Sequence, residues 1–225
     1  MAKILNNQTS GMYHVSVNIP PEIRVNPIAH WTGRLLYPLL GWKTEGQLPE
    51  LPQWVCIVAW HTSNWDFFYG LLASWVFRIH TSFLGKDSLF RGPLGWFLRA
   101  LGGIPVERSH RHNMVAAAVD AFKNRQHLIF VVAPEGTRQR LEYWKSGFYH
   151  IAREAHVPIV LVYLDYGRKV CGVGPIMYPT GDIEVDLAKI REFYSRVTTK
   201  HPELKSEVRF KDAGSGADPR RSHGF

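Results

Sequence analysis

Cysteine is scarce: Cys56 and Cys171 are the two in 225 residues. One pair makes neither a metal-ligand spacing nor a disulfide framework. Cys56 stands inside the apolar run Trp54–Trp60, where a buried, reduced thiol is the ordinary state. A reducing cytoplasm is therefore the expected setting. No stretch reaches the roughly 18 apolar residues that mark a spanning helix. The longest, Phe67–Phe77, is broken by Gly70 and Ser74. Met1–Gly11 is polar and lacks the apolar centre of a signal peptide. Three motifs are missing: the phosphate-cradling G-x4-G-K-[ST], the zinc-binding H-E-x-x-H and the nucleophile elbow G-x-S-x-G. Their absence argues against a P-loop nucleotide hydrolase, a zincin and a serine hydrolase of the elbow type. No internal repeat and no low-complexity block occurs, which excludes a solenoid.

What is present suits one core. The chain is 45% apolar and 20% charged, and its length supports a single sizeable domain. The formal charge is +8, which favours an anionic partner such as a membrane surface or a phosphorylated substrate. The basic residues are scattered and form no recognition helix, zinc or RNP pattern, so nucleic acid is not an expected partner. His110 and His112 stand two apart, a spacing that does not bring them onto one helix face. No metal is expected.

Apolar patterning alternates between strands and helices. Strands are expected at 54–60, 81–85, 103–106, 127–133, 157–164 and 168–174. Helices are expected at 64–79, 93–101, 113–124, 146–155 and 182–197, the last capped by Asp182. This alternation predicts an α/β fold: a single-domain sandwich with a mixed central β-sheet flanked by helices. Residues 1–26 read as a flexible leader, 27–200 as the domain and 201–225 as a polar, partly disordered tail. The segment 27–42 carries Trp31, Tyr37 and Trp42 beside Arg34 and Lys43. It reads either as a short interfacial helix broken near Pro38 or as a cap on the sheet. The segment 44–53 reads as a loop. The helix at 64–79 is apolar nearly all round, so it is expected to be buried or to touch lipid, burial being the commoner case.

Four blocks stand out. The first is His61-Thr62-Ser63-Asn64-Trp65-Asp66, directly after the first apolar strand. With 11 His and 8 Asp in the chain, about 0.4 such H-x4-D pairs arise by chance. On one continuous helix the two side chains would lie about 140° apart and could not meet. They meet if His61 is on the loop and Asp66 in the first helical turn, with Ser63 or Asn64 as cap. The imidazole would then be a general base oriented by the carboxylate. The competing reading is a hydrogen-bonded loop histidine and a helix-start aspartate. The second block, Gly102–Arg108, ends in an arginine that either faces an anion or is simply solvated. The third, Ala133-Pro134-Glu135-Gly136-Thr137-Arg138, follows the strongest strand. Strand ends are where α/β sheets bind ligands, though the composition also suits a plain turn. The fourth, Val157–Val162, reads as core.

In order and content these blocks resemble the four motifs of the glycerolipid acyltransferases, the lysophosphatidic acid acyltransferase superfamily. That pattern is H-x4-D, G-x-I-P-V-x-R, F-P-E-G-T-R-S and V-P-I-V-P-V. The resemblance covers residues 50 to 165. Ala133, Gln139 and Leu161 depart from it, standing for Phe, Ser and the second Pro. The resemblance implies an acyltransferase-like fold and an O-acyltransferase, with His61 as base and Asp66 as its orienter. It implies that Glu135, Gly136, Thr137 and Arg138 line the acceptor site. Arg108 would face the acceptor phosphate, with Lys86 as a further basic residue there. It implies an acyl-CoA or acyl carrier protein donor, a lysophospholipid acceptor and no cofactor. The simplest acceptor is 1-acyl-sn-glycerol 3-phosphate. An amino-acid lysolipid, another polar alcohol, or a non-catalytic lipid-binding role on the same scaffold are the alternatives. The expected location is the inner face of the cytoplasmic membrane, held peripherally.

Overall fold

Successive residues of a strand point to opposite sides of a sheet, and Gln53–Ala59 (β2) buries both sides. Val55, Ile57 and Ala59 join one apolar cluster, whereas Trp54 and Cys56 join another. A central strand with a helical layer on each face is the only arrangement that buries both sets. The computed structural model describes residues 21–106 and 111–211. The other strands are Lys43–Glu45 (β1), Ser82–Lys86 (β3), Gly103–Val106 (β4), Leu128–Val132 (β5), Ile159–Asp165 (β6) and Val170–Met177 (β7). They form one seven-stranded sheet in the order β1-β7-β6-β2-β5-β3-β4. Strands β2 to β6 run parallel to one another, and β7 turns back antiparallel on β6. The expected mixed sheet is present.

The helices are Pro27–Leu39 (α1), Trp65–Val76 (α2), Gly92–Ala100 (α3), Arg111–Lys123 (α4), Gly147–Glu154 (α5) and Ile183–Ser195 (α6). Crossovers between parallel strands are right-handed. The steps β2 to β3 and β3 to β4 move one way along the sheet, so α2 and α3 share a face. The steps β4 to β5 and β5 to β6 move back, so α4 and α5 take the other. Contacts agree with this topology. Phe122, Tyr149, Leu187 and Tyr194, from α4, α5 and α6, belong to the cluster of Val55 and Ile57. On the opposite face, a Cβ on Gly103 would lie 2.8 Å from the Leu98 carbonyl of α3 and 2.8 Å from the Phe90 ring. Glycine there lets α3 and the 3-10 turn Asp87–Phe90 settle onto β3 and β4.

Several expectations are corrected by the packing. Thr44 and Glu45, expected in a loop, belong with Lys43 to an edge strand paired in parallel with β7. The helix α1 does not break near Pro38 but runs to Leu39, because proline in the last turn costs a single backbone bond. The expected burial of α2 holds for Leu72, Ala73 and Ser74 but fails for Trp65, Phe67 and Phe68, which are exposed. α1 covers one flank of α2, brought close at Gly33, where a Cβ would meet Trp75; the other flank is left open. Within the leader expected over 1–26, Ile23 and Val25 are buried, and the Ile23 carbonyl accepts from His80 N–H. Within the tail expected over 201–225, Val208 and Phe210 are buried and the Arg209 carbonyl accepts from Trp144 N–H at 2.8 Å. The rest of the leader (1–20) and of the tail (212–225) lies outside the described residues.

Two glycines test this packing. Gly103→Ala should lower stability by about 1–3 kcal/mol through overpacking under α3. Gly70→Ala, in the interior of α2 with open space around it, should raise stability by about 0.5–1 kcal/mol. Urea denaturation of the two variants measures both signs.

Candidate active site

Parallel strands β2 to β6 bring their carboxyl ends to one edge of the sheet, where the polar residues singled out from the sequence gather. Tyr194 of α6 pins the end of β2. Its hydroxyl lies 2.9 Å from the carbonyls of Ile57 and Val162. Beyond β2 the chain loops through His61 and Thr62 and enters α2 at Trp65. Asp66 therefore falls in the first helical turn and His61 on the loop, the one geometry in which the pair can meet. The His61 Nδ1 atom lies 3.4 Å from Asp66 Oδ2.

The Asp66 side chain is buried and does more than face the imidazole. Oδ2 accepts the backbone N–H groups of Thr62 and Ser63 at 2.8 and 2.7 Å. Oδ1 accepts the Tyr166 hydroxyl at 2.5 Å. Three donors and a helix N-terminus offset the cost of keeping a carboxylate out of water. They also explain the cap. Asp66 reaches back to the loop amides, so Asn64 makes no side-chain cap bond, while Ser63 Oγ accepts from Trp65 N–H at 3.2 Å. Thr62 Oγ1 meets Thr199 Oγ1 at 2.5 Å, and Tyr166 N–H donates to the Thr198 carbonyl at 2.8 Å. The segment after α6 thus backs the loop.

Glu135, on the loop after β5, turns inward. Its residue is 2% exposed, and Oε1 accepts the His61 backbone N–H at 3.0 Å. Oε2 is buried with no hydrogen-bond partner among the described residues. Burial pushes this carboxyl up to about 7, against the partial opposition of hydrogen bonds from backbone amides, His61 among them. Glu135 therefore holds the histidine loop and does not project into solvent. Gly136 has φ +63°, and a Cβ there would lie 2.5 Å from Lys145 Nζ, so the Lys145 side chain crosses over the turn. Thr137 is half-buried and Arg138 is exposed on the same loop. Lys86 is exposed at the end of β3. Arg108 lies outside the described residues.

Sequence patterns did not single out Tyr166, Thr199 or Lys145. Tyr166 directly follows β6, so its place at a parallel strand end was the available signal. Thr199 and Lys145 carry none, since chain folding alone brings them to the loop. Chemically, Nδ1 faces the Asp66 carboxylate at 3.4 Å, which leaves Nε2 as the ring nitrogen able to take a proton. The His61 side chain is 21% exposed, enough for an approaching hydroxyl to reach it.

A family model described as Acyltransferase matches residues 44–165, which contain the histidine, the aspartate and the loop after β5. The 1-acyl-sn-glycerol-3-phosphate acyltransferase of Haemophilus influenzae is 33% identical over 151 residues, 61% of this chain and 60% of that protein. The protein of the same name from Salmonella typhimurium is 35% identical over 151 residues, covering 61% and 58%. The chain thus spans about 60% of the length of the curated relatives it matches. The crystal structure of the 1-acyl-sn-glycerophosphate (LPA) acyltransferase, PlsC, from Thermotoga maritima superposes with a TM-score of 0.54 at 19% identity, over 75% of this chain and 76% of that one. It shows the same fold.

Glu135 yields a pH test. A carboxyl that titrates near 7 when folded and near 4.3 when unfolded keeps a proton that the unfolded chain has already lost. Its contribution to stability is therefore lost as pH rises from about 4 to about 7. Glu135→Gln keeps an acceptor for His61 N–H and removes the ionisation. The variant should be more stable than the parent at pH 8, by up to roughly 4 kcal/mol, and equal to it near pH 4. Scanning calorimetry at the two pH values decides, and an equal offset at both would contradict the burial argument.

Proposed function

This chain belongs to the Acyltransferase family, and from that premise we propose that it moves a fatty acyl group from a thioester to the hydroxyl of a lysophospholipid. The thioester is carried on coenzyme A or on acyl carrier protein. The acceptor is 1-acyl-sn-glycerol 3-phosphate, the substrate class in the names of its relatives. One observation carries the reading: a loop histidine whose Nδ1 faces a buried, triply hydrogen-bonded carboxylate, at the carboxyl edge of a parallel sheet.

The chemistry asks little beyond that. A thioester carbon is already electrophilic and its thiolate leaves readily, so the main demand is a nucleophilic hydroxyl. His61 Nε2 takes the acceptor O–H proton as the oxygen attacks the thioester carbon. Asp66 stabilises the imidazolium that forms. The tetrahedral intermediate collapses, the C–S bond breaks, and the imidazolium returns the proton to sulfur. General base assistance of this kind contributes about 10²–10⁴-fold. No covalent acyl-enzyme is needed.

The exposed Arg138, with the exposed Lys86 at the end of β3, supplies cations for the acceptor phosphate, and the resemblance adds Arg108 to them. Guanidinium groups suit this because they grip phosphate oxygens in pairs. No described helix is long and apolar enough to cross a membrane. The chain instead rests on the inner membrane face through the segment 27–42. In α1, Ile28, Trp31, Leu35 and Leu39 are exposed and fall within about 80° of arc, opposite the buried Gly33 and Tyr37.

His61→Ala should lower kcat by about 10²–10⁴-fold with an unchanged melting temperature. A thiol-release assay with acyl-CoA and lysophosphatidic acid measures it, and unaltered turnover would sink the mechanism. Arg138→Ala should raise the KM for the acceptor by about 10–100-fold, the worth of a charged hydrogen bond, and leave the donor KM within about twofold. Equal changes in the two constants would remove Arg138 from the phosphate site.

A further inference from the structure

The two helical layers have opposite outer surfaces. On the layer of α4, α5 and α6 the solvent side is charged, with Lys123, Arg153, Glu184, Lys189 and Glu192 all exposed. On the layer of α1, α2 and α3 the solvent side is apolar. Trp31 of α1 is 65% exposed and Trp96 of α3 is 73% exposed. Leu94 and Phe97 of α3 and Leu89 of the turn before it are exposed as well.

The sequence reading assigned no role to α3, and its surface is unusual. Trp96, Phe97 and Leu94 spread over about 160° of its circumference, so the outer side is apolar throughout. The inner side is taken by Gly95, which is buried against Phe90. The helix contains no acidic residue, and the one in the turn before it, Asp87, lies 3.8 Å from the Arg91 guanidinium. Arg91 precedes the helix and Arg99 stands in its last turn, where the guanidinium lies 5.2 Å over the Phe90 ring. α1 carries the same combination, with Arg34 5.4 Å over the Trp31 ring. At α3 the Arg99 guanidinium also donates to the Phe90 carbonyl at 2.8 Å, so it is Arg34 on α1 that sits beside an exposed tryptophan; exposed tryptophan and arginine on one surface are the side-chain chemistry of a membrane interface. A chain of net charge +8 adds attraction to anionic headgroups.

We infer that α3 and the 3-10 turn before it form a second membrane foot, which seats the molecule on an anionic bilayer together with α1. The inference rests on the reading that the acceptor is a membrane lipid. It adds an orientation. Two feet on one face of the sheet define a plane, whereas a single helix leaves the molecule free to roll about its axis. The N-terminus of α2, which carries Asp66, belongs to the same layer. The seated molecule therefore holds the His61 loop at the rim of the bilayer, where lysolipid headgroups lie.

The test uses the full chain and vesicles of phosphatidylcholine with one quarter phosphatidylglycerol. The double variant Trp96→Glu/Phe97→Glu should partition to these vesicles at least about tenfold more weakly than the parent. It should keep the parental melting temperature and turn over a short-chain, water-soluble lysolipid at the parental rate. Parental partition by this variant overturns the inference. An environment-sensitive fluorophore on Trp96→Cys should shift to the blue on adding vesicles, and an unshifted spectrum overturns it too. If the α3 face is instead a contact between copies, the parent sediments as a dimer without vesicles and the double variant as a monomer with unchanged partition. That result also overturns the inference. A parent that binds vesicles through α3 but transfers no acyl group would fail the reaction proposed above and leave the foot standing.

Discussion

The carboxylate of Asp66 ties together everything at the working edge of the sheet. It takes two backbone amides from the loop after β2 and the Tyr166 hydroxyl from the end of β6, and it faces the His61 Nδ1 atom at 3.4 Å. A buried charge costs several kcal/mol unless its lone pairs are met. Here three donors meet them, and the loop has little freedom to depart from that arrangement. The histidine is fixed as a result, not by its own packing but by the needs of its neighbour. Glu135 completes the hold from the other side, gripping the His61 backbone N–H at 3.0 Å. The result is an imidazole with one nitrogen committed and one nitrogen offered.

The parallel strands make this possible. Because β2, β5 and β6 point the same way, the loops that follow them emerge side by side, and residues 61, 135 and 166 become neighbours although about 100 positions separate the first from the last. The central strand is buried on both faces, so its end is among the stiffest points in the molecule. Tyr194 stiffens it further by reaching from α6 to the carbonyls of both β2 and β6. The catalytic chemistry proposed for the chain sits on that stiff edge, and the apolar helices of one layer face outward beside it.

Much of this was legible in the residues. The β-branched and apolar runs marked six of the seven strands, and the seventh, Lys43–Glu45, escaped because an edge strand of three polar residues has no apolar alternation to display. Its place depends on backbone pairing with β7 alone. The strand-to-helix break between His61 and Asp66 followed from helix geometry. The inward turn of Glu135 did not, because whether a loop carboxylate faces solvent or the core depends on what lies behind the loop. Burial of α2 was misjudged for a related reason. An apolar helix records what it could bury and not how much cover its neighbours provide.

The sequence by itself determined the alternation of strands and helices, the H-x4-D pair, the block after β5 and the basic charge. These are local patterns, written in residues that stand close together in the chain. Only the tertiary structure decided that Tyr166 and Thr199 support the histidine loop, that Glu135 is buried, and that α3 turns Trp96 outward on the same side as α1. Those relations join residues far apart in the chain, and the handed crossovers of the sheet bring them together.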